Sequence, residues 1–330
     1  MENSLINISN FTQYFRSREK NEKSLFTPFL RGIDLSVNQG DIYGIVGESG
    51  CGKSTLGKCL VGLFSLTEGS IIYNGRELNE WLHDSADEFR KQVQIIFQNP
   101  RSALNMSMRV EDLIREAVEI KHRDDKLIEQ NVNRILHDMQ IEYKRRDFPH
   151  QLSGGERRRA GLGRILAVEP TLIIADEPVS SLDVSYKGLI IDLLLKYKQE
   201  NNATIVFISH DIHLINQICN RVAVMFMGKV VEIFDNPKKF NKYKKHHPYT
   251  QELYNAALFF KEKSSIYNCD KSEQFIDAEY AKYDGIGCPY FQRCNIKDKM
   301  SCILQCKDNF PEIVDVNKNQ KIACHGIKSV

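Results

Sequence analysis

The chain has 330 residues, and its 45 Lys and Arg nearly balance 43 Asp and Glu, so it lacks the one-signed field that would point to nucleic acid or an anionic membrane surface. That length suits one α/β domain of ~200 to 250 residues plus a further segment, and is too short for two such domains in tandem. No run of about 18 apolar residues occurs, and MENSLINISN lacks a charged start followed by an apolar core, so neither a spanning helix nor a secretory signal is expected and the chain should stay in the cytoplasm.

In chain order, Ser4 to Ile8 alternates as an edge strand and Gly32 to Val37 reads as a second, with the charged loop RSREKNEKS between them. Asp41 to Val46 (DIYGIV) is a short apolar run bounded by Gly. It predicts a buried parallel strand feeding GESGCGKST and then a helix from Ser54 to Gly62. From about Arg109 to Leu152, EDLIREAVEI and DKLIEQNVNRILHDM repeat apolar residues at three and four spacing, which predicts a separate helical lobe. Leu172 to Ala175 and Ile205 to Ile208 again read as buried strands. Strands alternating with helices predict a mostly parallel α/β sheet. After Pro237 the texture changes to KKFNKYKKHH and mixed polar sequence, and six of the nine cysteines lie between Cys269 and Cys324. In a cytoplasmic chain these are expected to be thiols or metal ligands, not disulfides.

GESGCGKST supplies Gly47, Glu48, Ser49, Gly50, Cys51, Gly52, Lys53, Ser54 and Thr55. Glycines at 47, 50 and 52 let the backbone turn so that successive N–H groups face a β-phosphate, and the following helix adds its positive end. Lys53 supplies charge to the β- and γ-phosphates, and the Ser54 hydroxyl is a ligand for Mg²⁺. Asp176 follows an apolar strand, which puts its carboxylate beside that metal to hold it through water. Glu177, next along, is positioned to orient the attacking water. Cys51 stands where the pattern is unrestricted and reads as a small filler. LSGGE offers a second cradle, because Ser153, Gly154 and Gly155 open a helix.

Together with LSGGE (Leu152 to Glu156), LIIADEP (Leu172 to Pro178) and the pair Ser209 and His210, the glycine loop resembles the ATP-binding-cassette ATPases. The resemblance implies an α/β fold, a P-loop NTPase of ABC type with a mostly parallel core sheet, an antiparallel β edge and an inserted helical subdomain. The nucleotide-binding domain is expected over residues 1–237, with the helical subdomain at about 98–166, and a cysteine-rich C-terminal extension over 238–330. It further implies ATP hydrolysis by a head-to-tail dimer, the signature of one subunit capping the γ-phosphate held by the glycine loop of the other. By similarity Gln98 senses the metal and the water, His210 contacts the γ-phosphate, Ser181, Leu182 and Asp183 form the loop between subunits, and Phe15 stacks on adenine. The chain departs from the family at Glu156, where glutamine is commoner, and in RRRAGLGRIL, where many relatives read closer to IARAL; both leave the cradle intact.

VGESGCGKSTLGKCLVGL, IIFQNPRSALN and HPYTQEL (His247 to Leu253) are similar to the ATPases of dipeptide and oligopeptide uptake. HPYT is expected to lie outside the nucleotide site. That similarity implies a second ATPase subunit, identical or different, two membrane-spanning permease subunits and an external solute-binding protein, with this chain at the cytoplasmic face of the membrane and no nucleic acid bound. Nickel or metal-chelate uptake is the alternative within the same subfamily, whose members commonly lack a long cysteine tail. DNA-repair and chromosome-structure ATPases share the nucleotide module but insert coiled coils or zinc modules between glycine loop and signature, and no sustained heptads occur between Thr55 and Leu152.

Cys288, Cys294, Cys302, Cys306 and Cys324 give five candidates for a four-ligand site. Four thiolates suit an iron–sulfur cluster or zinc. GCPYFQRC and ACHG are similar to the [4Fe–4S] tail of peptide-uptake ATPases. Counting forward from Cys294 favours Cys302 as the third ligand, while counting back from Pro311 and Cys324 favours Cys306.

Overall fold

Two long strands open the chain. The computed structural model describes residues 4–16, 26–98, 104–180, 184–242, 245–262, 283, 285–297 and 303–327. Within them β1 (Ser4–Arg16) and β2 (Phe26–Asn38) pair antiparallel, well beyond the predicted Ser4–Ile8 and Gly32–Val37. The pairing shifts register between Ile8 and Phe11, and again before Gln13 and Tyr14. Such bulges continue a strand while breaking the strict alternation by which it is read from sequence.

β3 (Ile42–Val46) is buried along its whole length. Its side chains divide between two cores, Ile42 and Val46 in one and Tyr43 and Ile45 in the other. A strand apolar on both faces must lie inside a covered sheet, where full burial of each such aliphatic side chain contributes about 1.5–3 kcal/mol. Next come α1 (Lys53–Leu60), β4 (Glu68–Tyr73), β5 (Arg76–Glu77), α2 (Leu78–Asp84), α3 (Ala86–Gln92) and β6 (Val93–Ile96). β4 and β5 complete an antiparallel sheet of order β2-β1-β4-β5, the antiparallel β subdomain of the fold.

The helical lobe follows as α4 (Val110–Glu119), α5 (Asp125–Asp138) and α6 (Gly154–Ala167). Leu113, Ile114 and Ala117 of α4 meet Ile128, Val132 and Ile135 of α5 in one buried cluster, at the spacing the sequence predicts. Asp124 starts α5 by accepting the Lys126 and Leu127 N–H groups at 3.0 and 2.9 Å, a cap that contributes about 1 kcal/mol.

The chain then returns to the sheet through β7 (Leu172–Asp176), α7 (Val184–Asn201), β8 (Thr204–Ile208), α8 (Ile212–Ile218), β9 (Arg221–Phe226) and β10 (Lys229–Asp235). β6, β7, β8, β3 and β9 run parallel in that spatial order, and β10 returns antiparallel. This α/β sheet is mixed at one side only.

Beyond Pro237 lie α9 (Pro248–Glu262), α10 (Ile303–Asp308), β11 (Val314–Asn317) and β12 (Gln320–Ile322). β12 pairs antiparallel with β10, Glu232 facing Ile322, and β11 pairs with β12. The end of the chain thus extends the core sheet. The join is fixed by Glu232, fully buried, whose carboxylate is hydrogen-bonded to His246 Nδ1 at 2.7 Å and accepts from the His247 N–H at 2.9 Å and Gln320 Nε2 at 2.8 Å. Among the described residues no helix is long and apolar enough to cross a membrane.

Candidate functional site

β3 ends at Val46 and the chain turns at once into the glycine loop. Gly47 has φ 156°, and a Cβ there would lie 2.2 Å from the Met225 carbonyl oxygen. Gly52 closes the loop at φ 104° as the N-cap of α1. Any L side chain at these two positions would force the loop off the sheet. α1 begins at Lys53, one residue earlier than predicted, so its unpaired first-turn N–H groups follow directly on the loop. Lys53 is 5% exposed, and its Nζ donates to the carbonyl oxygens of Gly47 at 2.8 Å and Glu48 at 2.7 Å. Ser49 and Gly50 are exposed at the loop tip, and Thr55 is half-buried in the first turn of α1. Cys51 is packed as a filler: it is buried, its carbonyl accepts the Gly228 N–H at 3.0 Å, and burial pushes its thiol pKa up.

Adjacent parallel strands deliver the acids. Asp176 is the last residue of β7, 4% exposed, and its Oδ1 accepts from Ser54 Oγ at 2.8 Å. Burial raises its carboxyl pKa, against the Ser54 hydrogen bond, which lowers it. One residue on, Glu177 has φ 47°, a left-handed conformation uncommon for a non-glycine residue. Its N–H donates to Ile208 O at 3.0 Å, fixing the bend to the end of β8. Its Oε1 lies 2.9 Å from His210 Nδ1, and its Oε2 accepts from Gln98 Nε2 at 3.3 Å. The hydrogen bond from His210 lowers the Glu177 pKa, and the same bond raises that of His210. Gln98, Glu177 and His210 therefore come together beside the Ser54–Asp176 pair.

Phe15, on β1, meets Phe29 and Phe64 edge-on at centroid distances of 5.8 and 5.2 Å. Phe29 also borders Gly52, so Phe15 lies close to the start of α1. Ser181, Leu182 and Asp183 lie outside the described residues, as does Cys302.

The signature opens α6 with a reciprocal cap. Ser153 Oγ accepts the Glu156 N–H at 3.3 Å, and Glu156 Oε2 accepts the Ser153 N–H at 2.8 Å. Glu156 Oε1 also accepts from the Tyr143 hydroxyl at 2.7 Å. Burial works upward on its carboxyl, yet the hydrogen bonds from Tyr143 and Ser153 bring the pKa down to about 2. The departure at 156 is thus used within the chain. A Cβ added at Gly154 would meet nothing within 4 Å, so this helix start is open to an approaching anion.

Three residues that bear on the site escape a reading of motifs. Arg158, in the RRR run of α6, donates from Nη2 to Gln98 O at 3.0 Å and from Nη1 to Ser180 O, tying the signature helix to both strand-end loops. Tyr249 ties HPYT to the loop from behind: buried in the first turn of α9, its hydroxyl accepts the Glu48 N–H at 2.9 Å. Arg293 reaches the Glu48 carboxylate from the other side.

Cys288, Cys294, Cys306 and Cys324 line one cavity with His247 and Tyr290. Burial pushes the Cys288 thiol up to about 12. Among the described residues no three His, Cys, Asp or Glu side chains stand close enough to hold a metal ion as a group.

The ABC transporter family model matches residues 30–180. The chain is similar to the oligopeptide transport ATP-binding protein AppF of Bacillus subtilis, at 33% identity covering 89% of this chain and 88% of that protein. It is also similar to OppF of Streptococcus mutans, at 34% over 77% and 81%. Among solved structures, cbiO1 from Clostridium perfringens, part of the transporter complex cbiONQ, aligns with TM-score 0.63 and 26% identity over 74% of this chain and 92% of that one. The dimeric cassette MJ0796 aligns with TM-score 0.63 and 25% identity over 70% and 98%. Fold and site together define an ATP-binding-cassette ATPase, which hydrolyses ATP to drive transport. The chain belongs to the ABC transporter family, among its oligopeptide and dipeptide transport ATP-binding proteins.

Proposed function

We propose that the chain powers import of dipeptides or oligopeptides, working at the cytoplasmic face of the membrane with a second ATPase subunit, two permease subunits and an external solute-binding protein. The observation that carries the catalytic part is the convergence of Gln98, Glu177 and His210 next to Ser54, Asp176 and the glycine loop. Gly47 to Thr55 cradle the phosphates and Lys53 turns its ammonium from loop carbonyls to the β- and γ-oxygens. Ser54 and Asp176, with Gln98 beside them, would hold Mg²⁺, which would neutralise charge developing on the transferred phosphoryl group. The donor set suits it, since a hydroxyl and a carboxylate already meet at 2.8 Å and Mg²⁺ takes few protein ligands. Glu177 accepts a proton from the attacking water, Gln98 orients that water, and His210 leaves Glu177 for the γ-phosphate. Phe15 lies against adenine. Ser153, Gly154 and Gly155 cap the γ-phosphate held by a partner cassette, with Asp183 at the seam. The dimeric form of MJ0796 supports this assembly.

Residues 1–237 form the nucleotide-binding domain, with its helical subdomain at about 98–166, and 238–330 the extension. In the extension four of Cys288, Cys294, Cys302, Cys306 and Cys324 would hold a [4Fe–4S] cluster, or zinc, once drawn closer together than the described side chains stand; what supports this is the cavity that Cys288, Cys294, Cys306 and Cys324 share and an all-sulfur donor set. Anaerobic purification with iron and acid-labile sulfide analysis tests it. Iron with equimolar sulfide is the expected result, and zinc without sulfide assigns the site to zinc.

Peptide cargo is supported by the names of the relatives. It is tested by uptake of a labelled tripeptide and of radioactive nickel in cells carrying the wild type or Lys53→Ala. Loss of tripeptide uptake alone is expected; loss of nickel uptake alone would move the assignment to metal import.

A further inference from the structure

We propose that Arg293 is a positioning residue for the phosphate-binding loop, setting nucleotide affinity from the C-terminal segment through a two-point ion pair with Glu48. The inference rests on the nucleotide-site reading given above.

Glu48 is an awkward residue for its place. It puts a carboxylate into a loop that must receive a polyphosphate, where like charge opposes binding. Its backbone is fully engaged: the N–H donates to Tyr249 at 2.9 Å and the carbonyl accepts from Lys53 at 2.7 Å. Its side chain is taken by Arg293, Nη1 to Oε2 at 3.1 Å and Nη2 to Oε1 at 2.9 Å. Parallel double contacts of this kind fix orientation as well as charge.

Arg293 is itself braced. Nη2 donates to Glu252 Oε1 at 2.9 Å, and the guanidinium carbon lies 5.5 Å from the ring centroids of both Phe226 and Tyr290. Phe226 closes β9 and Tyr290 packs on Tyr249, so the brace stands on the core sheet and α9. The side chains of Arg293 and Glu48 are 26% and 21% exposed, sheltered enough for the pair to count but not free of solvent screening. With Arg293 in place, the charge of Glu48 is answered from outside the loop. Arg293 directly precedes Cys294 of the cysteine cavity, so the segment that shapes that cavity also holds the loop.

The test is a titration of the full-length protein with Mg²⁺ and trinitrophenyl-ATP, alongside steady-state ATP hydrolysis. Arg293→Gln is expected to weaken binding about tenfold by uncovering the carboxylate, raising KM in step and by more than it lowers kcat. Adding Glu48→Gln to Arg293→Gln removes the uncovered charge and should recover most of the lost affinity. Arg293→Lys, a point charge without the fork, should fall between. Wild-type affinity in Arg293→Gln would overturn the proposal, as would a double variant as weak as the single. If Arg293→Gln does not fold, unchanged affinity in Arg293→Lys overturns it equally. Lys53→Ala separates the two readings: binding as tight as wild type there discards the nucleotide site itself, whereas lost binding there with intact Arg293→Gln discards only the clamp.

Discussion

His210 Nδ1 lies 2.9 Å from Glu177 Oε1 because the strands that carry them are in register, Asp176 of β7 standing level with Ile208 of β8. One step past Asp176 and two past Ile208, the side chains meet over the strand ends. The pair is a charge-assisted bond between the residue suited to accept a proton from water and the one suited to follow the γ-phosphate.

Glu177→Gln removes the proton acceptor and keeps the shape. ATP hydrolysis is expected to fall about 10²- to 10⁴-fold, with trinitrophenyl-ATP binding retained and ATP-dependent dimers accumulating on size exclusion. Equal turnover in wild type and variant would remove Glu177 from that role.

The same pair has a pH signature. The raised pKa of His210 contributes stability that is full below about 6.5, its value in the unfolded chain, and is lost as pH rises through the folded value. The lowered pKa of Glu177 contributes stability present above about 4.5 and lost as pH falls through the folded value. The melting-temperature gap between wild type and His210→Gln should therefore be widest at about pH 5 to 6 and narrow by pH 9. A gap that widens with pH would contradict the pairing.

In the signature, Ser153→Ala deletes one half of the reciprocal cap and should cost about 1 kcal/mol, read as a fall of about 2–4 °C in melting temperature. Glu156→Gln keeps the acceptor for the Ser153 N–H but loses the charge. Since Glu156 titrates near 2 when folded, its advantage over Gln holds above about pH 4.5 and disappears as pH falls through about 2. Melting curves of the two proteins should converge on acidification.

Glu232→Leu removes the buried carboxylate that His246, the His247 N–H and Gln320 share. A loss of about 3–5 kcal/mol is expected, as for other broken buried charge networks, together with earlier proteolytic release of the C-terminal segment than in wild type.

The parts of this molecule that were legible in sequence are those whose chemistry is local. GESGCGKST carries its own conformational demands, and DEP follows an apolar run whose burial fixes where the acids emerge. The three-and-four spacing of apolar residues in α4 and α5 likewise reports their facing cores. What could not be read depends on contacts between distant segments. Arg293 and Glu48 are 245 positions apart, and nothing in FQRC announces a guanidinium aimed at a phosphate loop. Tyr249 is hidden for the same reason: a tyrosine in HPYT has no local cue that its hydroxyl meets the Glu48 N–H. β1 outran its prediction because its bulges erase the alternation used to see it. Arg158 was visible as one of three arginines, but which of the three turns toward Gln98 is decided by the angle of α6 on the sheet.

The pairing of β12 on β10 also bears on how the protein can be handled. A shortened cassette ending near Pro237 would strip the cover from β10, baring a row of backbone donors and acceptors at a sheet margin. Naked margins of that kind recruit other chains, so such a truncation should clump at concentrations where the intact protein stays dispersed.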